Sequence, residues 1–139
     1  MTDITTKKSA RFKPAEIARN LPESATTMLA DIYLTDRPDA SSRVFRAYGG
    51  VPPHFHRECD EYLYVLSGRG TFWVDAATEA EFGPGDMLFF ERNIVHALPT
   101  LLEEPVIFLT LDTPRRSPED VVFIDPDAGN AGTFMHRNR

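Results

Sequence analysis

Turns rich in glycine and proline divide this chain into many short apolar segments. Eleven prolines and eight glycines occur in 139 residues, which favours many short elements over long helices. Apolar and polar residues alternate over residues 42–48, as in a half-buried strand. Short strands at close intervals predict an all-β sandwich or barrel. The strands expected are residues 26–34, 42–48, 61–66, 71–75, 79–82, 87–90, 94–99 and 106–111.

The length predicts one domain with a substantial core. Residues 1–25 are expected to form a partly disordered N-terminal arm, with disorder over residues 1–11 and a short helical turn at 14–19, where proline suits the first turn. Residues 26–112 are expected to form the barrel. Residues 113–139 begin with a polar stretch and form a C-terminal extension, which we expect to pack on the barrel or on a partner subunit.

Three of the four histidines and one carboxylate form the strongest functional pattern. Two imidazoles two residues apart on a strand, His54 and His56, point to the same side. A third imidazole from His96 and a nearby carboxylate would complete a set of three nitrogens and one oxygen. Such a set suits one divalent transition metal, namely iron, manganese, nickel, zinc or copper. From the residues alone, Asp60 and Glu61 compete for the carboxylate role.

Two stretches around these residues resemble the two motifs of the cupin superfamily. Residues 49–68, GGVPPHFHRECDEYLYVLSG, resemble G-x5-H-x-H-x(3,4)-E-x6-G, one residue short after the first glycine. Residues 85–96, GDMLFFERNIVH, resemble the second motif, G-x5-P-x-G-x2-H-x3-N. Glu91 and Asn93 replace its proline and internal glycine, and Thr100 replaces its final asparagine.

The resemblance implies a fold and a ligand set. The fold is a double-stranded β-helix, or jelly-roll barrel, whose inward apolar side chains form the substrate pocket. The metal ligands would be His54, His56, Glu61 and His96, because the six-residue interval to the motif's last glycine selects Glu61 over Asp60. No catalytic residue beyond this set is identified.

Strand alternation also predicts which side chains belong to the core. With Glu61 inward, Leu63 and Val65 should also face inward, and Tyr62 and Tyr64 outward. Phe89 and Phe108 are the other residues expected to be deeply buried.

Two remaining residues carry metal-binding atoms. Cys59 is the only cysteine, so it cannot form an intramolecular disulfide, and a free, partly buried thiol is expected. His136 lies near the C-terminus and is expected to be exposed and no ligand.

Charge and hydropathy limit the classes of partner expected for this chain. The net charge of −6 argues against nucleic-acid binding. No apolar run approaches the roughly 18 residues that span a bilayer, and the N-terminus lacks a secretory apolar segment. We therefore expect a cytoplasmic protein with a small-molecule substrate, and a homodimer in which residues 26–34 and 121–124 cover open sheet edges.

Three function classes follow. The first, which we favour, is a metal-dependent enzyme with oxygenase-like chemistry, because open metal positions can activate dioxygen. The second is a sugar-phosphate isomerase or epimerase, which needs inward basic residues. For these the sequence offers Arg46, with Arg43 on the opposite face, and Arg69. The third is a non-catalytic small-molecule-binding module.

Overall fold

Ten strands form one continuous sheet that curls into a barrel in the computed structural model, which describes residues 9–138. The strands are β1 Leu29–Arg37, β2 Ala40–Ala47, β3 Val51–Phe55, β4 Asp60–Val74, β5 Ala80–Phe82, β6 Met87–Phe90, β7 His96–Leu98, β8 Leu101–Thr113, β9 Val122–Phe123 and β10 Met135–Asn138. Neighbouring strands follow the order β10-β1-β2-β8-β4-β7-β3-β9, with β5 and β6 both paired to β4. The expected all-β barrel is confirmed. Disorder is expected over residues 1–11, of which residues 1–8 lie outside the described range.

One long strand, β4, replaces the two strands predicted at 61–66 and 71–75. The glycine that suggested a turn, Gly68, instead lies at a bulge with φ +83°, where the register between β4 and β8 shifts. A Cβ atom there would lie 2.4 Å from the carbonyl oxygen of Pro105. Glycine therefore lets the strand continue through a conformation and a close approach that other residues disfavour.

The main core fills the barrel between inward-facing side chains. Leu63 and Val65 are each 1% exposed and Phe108 is completely buried, which confirms three of the four predicted core residues. Tyr64 is 37% exposed, as the outward phase of β4 predicts. The prediction for Phe89 is wrong, because its side chain is 47% exposed. All four residues of β6 are apolar, so the sequence there does not reveal which pair faces inward, and Leu88 and Phe90 do so.

A smaller core lies under the N-terminal segment. Helix α1, Pro14–Ile17, continues into a 3₁₀ turn at Ala18–Asn20, which confirms the expected helical turn. Leu21 packs with Val44 of β2 and with residues of β1 on the outer side of the sheet. This segment therefore covers part of the barrel's outer face.

The C-terminal extension adds one strand to each end of the curled sheet. Strand β9 pairs with β3, and β10 pairs in parallel with β1. Between them, the four-residue helix α2, Ala131–Phe134, begins at Asn130, whose side-chain oxygen accepts hydrogen bonds from the first turn. This helix places the Phe134 ring in the main core. No helix in residues 9–138 has the length and apolar character needed to cross a bilayer.

Candidate metal centre

Three strands bring the four predicted ligands to one place inside the barrel. His54 belongs to β3, His56 follows it, His96 begins β7, and Glu61 is the second residue of β4. His54 and His96 are paired across β3 and β7, so their side chains are direct neighbours. All four side chains are buried, and the ligand atoms of the three histidines lie within 4.8 Å of one another.

Each histidine directs one ring nitrogen at a main-chain carbonyl and the other into the site. A carbonyl oxygen only accepts, so each Nδ1 carries a hydrogen, and in a neutral imidazole Nε2 then keeps its lone pair. The Nε2 atoms of His56 and His96 are buried without any hydrogen-bond partner among the described residues. This is the tautomer that metal-binding histidines use when a second hydrogen bond fixes the ring. The Nδ1 of His54 donates to the carbonyl of Pro52 at 2.8 Å, that of His56 to the carbonyl of Asp120 at 2.6 Å, and that of His96 to the carbonyl of Ile94 at 3.1 Å.

Glu61, and not Asp60, faces these nitrogens. Its Oε1 lies 3.5 Å from Nε2 of His56 and 3.8 Å from Nε2 of His96. Asp60 instead accepts hydrogen bonds from the main chain and side chain of Arg92, both at 3.0 Å, near the surface. Alternation along β4 separates the two carboxylates, so only one of them can reach the histidines.

Burial and charge keep the donors in metal-binding protonation states. Burial lowers the pKa of His54 well below its ordinary value, and burial likewise lowers the pKa of His96 to about 4. Burial by itself raises the pKa of Glu61, but the charges and hydrogen bonds of its neighbours outweigh it, so the pKa lies below its usual range. The two imidazoles are therefore neutral and the carboxylate ionised near neutral pH.

A fully buried arginine lies behind Glu61. Arg43 binds Asp112 through Nε at 3.0 Å and Asp31 through Nη1 at 3.1 Å, and its Nη2 lies 3.6 Å from Glu61. Ionised, the three carboxylates exceed this guanidinium by two negative charges, the charge of one divalent cation. The expectation that Arg46 lines the cavity is wrong, because the inward face of β2 carries Arg43 and Arg46 lies over the Tyr48 ring.

Two loops fix the histidines. The Asp120 carboxylate accepts hydrogen bonds from the main-chain nitrogens of Arg57 at 2.7 Å and Glu58 at 3.0 Å, directly after His56. Asn93, which stands where the second motif has glycine, adopts φ +67°. Asparagine tolerates this left-handed conformation better than most residues, so the turn before His96 keeps its shape without glycine.

The site opens into a small apolar cavity. The free space is about 10 Å³, room for a single water-sized body. The Phe134 ring covers it, with its centroid 5.2 Å from the His54 ring and 6.3 Å from the His56 ring. The apolar lining residues are Leu29, Phe45, Val51, Leu63, Phe90, Leu98 and Phe134.

The other two candidate ligand residues lie outside this cluster. Cys59 is a free, fully buried thiol, and burial raises its pKa. It does not belong to the histidine cluster. His136 is exposed, as expected.

The donors present fit a divalent transition metal. Three buried histidines are positioned to bind one ion, two of their Nε2 atoms lack any other partner among residues 9–138, and a buried carboxylate faces them. Neutral imidazoles with one carboxylate suit iron, manganese, nickel, zinc or copper and do not distinguish between them.

Sequence reasoning missed several residues around the site. Arg43, Asp112, Asp120, Arg116 and Phe134 come from β2, β8 and the C-terminal extension. No spacing rule connects them to the histidine motif, because their contacts depend on strand pairing between distant segments. Only the inward phase of Phe45 on β2 offered a signal, since alternation then also places Arg43 inward.

Comparison with known proteins identifies the family. The model of the cupin domain matches residues 44–112, which include all four predicted ligands. This chain is a cupin. No curated protein matches the chain in sequence.

Solved structures agree with this fold. An uncharacterised protein with a double-stranded β-helix domain from Klebsiella pneumoniae superposes with a TM-score of 0.65 at 19% identity, covering 85% of this cupin and 99% of that chain. KdgF from Halomonas sp. superposes with a TM-score of 0.59 at 22% identity, covering 65% of this cupin and 82% of that chain. A proposed mannose-6-phosphate isomerase from Ralstonia eutropha superposes with a TM-score of 0.60 at 19% identity, covering 68% of this cupin and 91% of that chain. At these identities the likeness shows the fold alone.

Proposed function

We propose that this cupin is a metal-dependent enzyme that acts on a small organic molecule, with oxygenase-like chemistry. The observation that carries the proposal is the convergence of three histidine Nε2 atoms and the Glu61 carboxylate, with every Nδ1 committed to a carbonyl. A redox-active ion held by these four residues would supply dioxygen activation, because six-coordinate binding leaves two positions for other ligands.

The lining of the cavity supports metal chemistry over proton transfer by side chains. The ionisable residues that line it are His54, Glu61 and His96, all of them predicted ligands. An isomerase or epimerase needs a side chain free to take or give a proton. The Nδ1 hydrogens are held by carbonyls and Glu61 faces the Nε2 atoms, so none of the three is free for that role.

The sugar-phosphate hypothesis finds little additional support. Arg43 is bound to Asp31 and Asp112, and Arg69 pairs with Glu103 at the surface. Neither is available to hold a phosphate group. The alternative of a non-catalytic binding module is favoured by one observation, the cavity of about 10 Å³, which as it stands has room for little beyond an ion.

Oxygen uptake by Fe²⁺-loaded protein tests the proposal. A panel of small organic acids, phenols and sugars should include compounds that cause oxygen consumption by the wild type and none by His56→Ala. Substrate turnover that proceeds equally without oxygen would contradict oxygenase chemistry. Metal binding without turnover of any compound would favour the binding module.

A further inference from the structure

Arg116, just beyond β8, carries a buried guanidinium that forms no ion pair with any residue of the described chain. The residue is 2% exposed, and its Nε and Nη2 atoms make no hydrogen bond within the described chain. Its main-chain nitrogen donates to the Ser41 hydroxyl at 3.3 Å, so the backbone is held in place while Nε and Nη2 stay without an acceptor. The mechanism proposed above does not employ this residue.

The two aspartates that flank Arg116 in the chain are already engaged. Asp112 holds Arg43, and Asp120 accepts from two main-chain nitrogens of the loop after His56. None of the ion pairs among residues 9–138 includes Arg116. A guanidinium stays protonated under all ordinary conditions, and burying a charge without a partner is strongly unfavourable. Among the described residues, the Arg116 guanidinium therefore has no anion paired with it.

The guanidinium borders the metal centre. Its Cζ atom lies 5.3 Å from the centre of the Phe134 ring, and that ring also packs against His54 at 5.2 Å and His56 at 6.3 Å. Arg116 and two of the predicted ligands, His54 and His56, therefore contact the same aromatic ring.

We propose that Arg116 binds the carboxylate of a small organic acid at the metal centre. A planar carboxylate matches the paired donors of a single guanidinium. A phosphate dianion would require further cations, and the other buried arginine at the site, Arg43, is saturated by carboxylates. The role of this acid as substrate rests on the proposed function; its binding to Arg116 does not.

The Phe134 ring occupies the space that such a ligand needs. About 10 Å³ of free volume is too little for an organic acid, and both Arg116 and the histidines lie against this ring. Helix α2, which carries it, is only four residues long. The acid is therefore inferred to enter as the ring moves aside, exchanging the guanidinium's contact with an aromatic face for two charged hydrogen bonds.

Calorimetric titration tests the inference. Acetate, oxalate and malonate would be titrated into metal-free and Co²⁺-loaded protein, beside their neutral amides and inorganic phosphate. At least one carboxylate should bind the wild type, and its amide should not. Arg116→Gln should weaken carboxylate binding at least about tenfold, as expected for hydrogen bonds between charged groups. The exposed control Arg19→Gln should leave it unchanged.

Further variants separate the possible causes. Arg116→Lys keeps the charge without the planar fork and should bind the acid with intermediate affinity, which decides the question if Arg116→Gln does not fold. Phe134→Leu should bind the acid more tightly. The affinity for Co²⁺ should be equal in the wild type and in Arg116→Gln. If the wild type does not bind Co²⁺, that result counts against the proposed function. The titrations of the metal-free protein still test carboxylate binding by Arg116.

Three results would overturn the inference. These are equal carboxylate affinity in Arg116→Gln and wild type, no binding of any carboxylate of the panel by the wild type, and tighter binding of phosphate than of every carboxylate. Weaker binding by Phe134→Leu would contradict the displacement of the ring.

Discussion

Arg43 is the residue on which the charge balance of the interior depends most. It is completely buried and contacts three carboxylates, of Asp31, Asp112 and Glu61. Breaking a buried ion pair by removing one partner is far more destabilising than the pair is stabilising, because the remaining charge stays in a poorly polarisable interior. The position of Glu61 at the metal centre therefore depends on a side chain that is not itself a ligand.

Replacing Arg43 should accordingly destabilise the fold. Arg43→Met leaves Asp31 and Asp112 buried without their cation and should lower the free energy of unfolding by about 3–5 kcal/mol. Arg69→Met is the control, because Arg69 pairs with Glu81 and Glu103 at the surface, where such pairs contribute at most about 1 kcal/mol. Urea denaturation measures both. Equal losses in the two variants would show that the Arg43 cluster is not a special determinant of stability.

At the scale of elements, the C-terminal extension completes the site. Its Asp120 carboxylate holds the loop after His56, its Asp120 carbonyl accepts from His56 Nδ1, and its α2 carries the covering Phe134 ring. The barrel strands provide the ligands, while the extension fixes the orientation of one of them. Metal affinity should therefore respond to changes outside the ligand-bearing strands.

Removing the Asp120 carboxylate should weaken metal binding while the four ligands remain. Asp120→Ala deprives the nitrogens of Arg57 and Glu58 of their acceptor and loosens His56, and loss of such a supporting contact typically lowers metal affinity about 10–100-fold. Competition with a chromogenic chelator measures the affinity for Co²⁺. The exposed control Asp127→Ala should retain it. Wild-type affinity in Asp120→Ala would show that the loop is held by other contacts.

Local sequence patterns were sufficient to predict part of the fold and of the site. Glycine and proline turns revealed the all-β fold, and motif spacing selected Glu61 over Asp60, because both depend on local order along the chain. The uniformly apolar β6 concealed the exposure of Phe89, and the bulge at Gly68 resembled a turn. The partners of Arg43 lie 12 and 69 positions away, so only the folded sheet brings them together.

For the whole molecule, stability without metal should fall as the solution becomes more acidic. The folded-state pKa values of His54 and His96 lie below the ordinary 6.5, at about 4 for His96. The unfolded chain therefore binds more protons than the native protein between these values, and the native state loses stability as pH falls through this window. The contribution of Glu61, whose pKa is also lowered, is lost only below its ordinary value of 4.5.

Urea midpoints of the metal-free protein at about pH 7.5, 6 and 5 measure this effect. The midpoint should decrease across the series, and the decrease should be smaller in a His54→Asn/His96→Asn double variant. The exposed His136 serves as control, since His136→Ala should show the wild-type slope. A midpoint that is constant from neutral pH to about pH 5 would contradict the burial of neutral imidazoles.

The assembly expected from the sequence, a homodimer, remains a prediction. Residues 26–34 and 121–124 were expected to join the subunits, but β1 and β9 in these segments pair with strands of their own chain. Four exposed apolar side chains of the described residues instead lie near one another on β4, β6 and β8. We therefore propose a two-fold contact through this outer face. Its members are Tyr64, Met87, Phe89 and Leu111, with Tyr62 beside them.

Light scattering tests this assembly. The wild type should be dimeric at micromolar concentration, and Phe89→Glu should convert it to a monomer by burying a charge in the contact. Ile124→Glu, at an exposed position of the C-terminal extension, should leave the dimer intact. A monomeric wild type would exclude the dimer, and dissociation by Ile124→Glu alone would return the interface to the terminal segments.

Metal binding by His54, His56, Glu61 and His96 is the property from which the proposed chemistry follows. Elemental analysis of protein purified without chelators, or reconstituted with Co²⁺ and freed of excess ion, measures it in one step. We expect about one ion per chain in the wild type and in His136→Ala, and little or none in His56→Ala, with all three proteins folded. Absence of bound metal from the wild type, or equal metal content in His56→Ala and His136→Ala, would contradict this expectation.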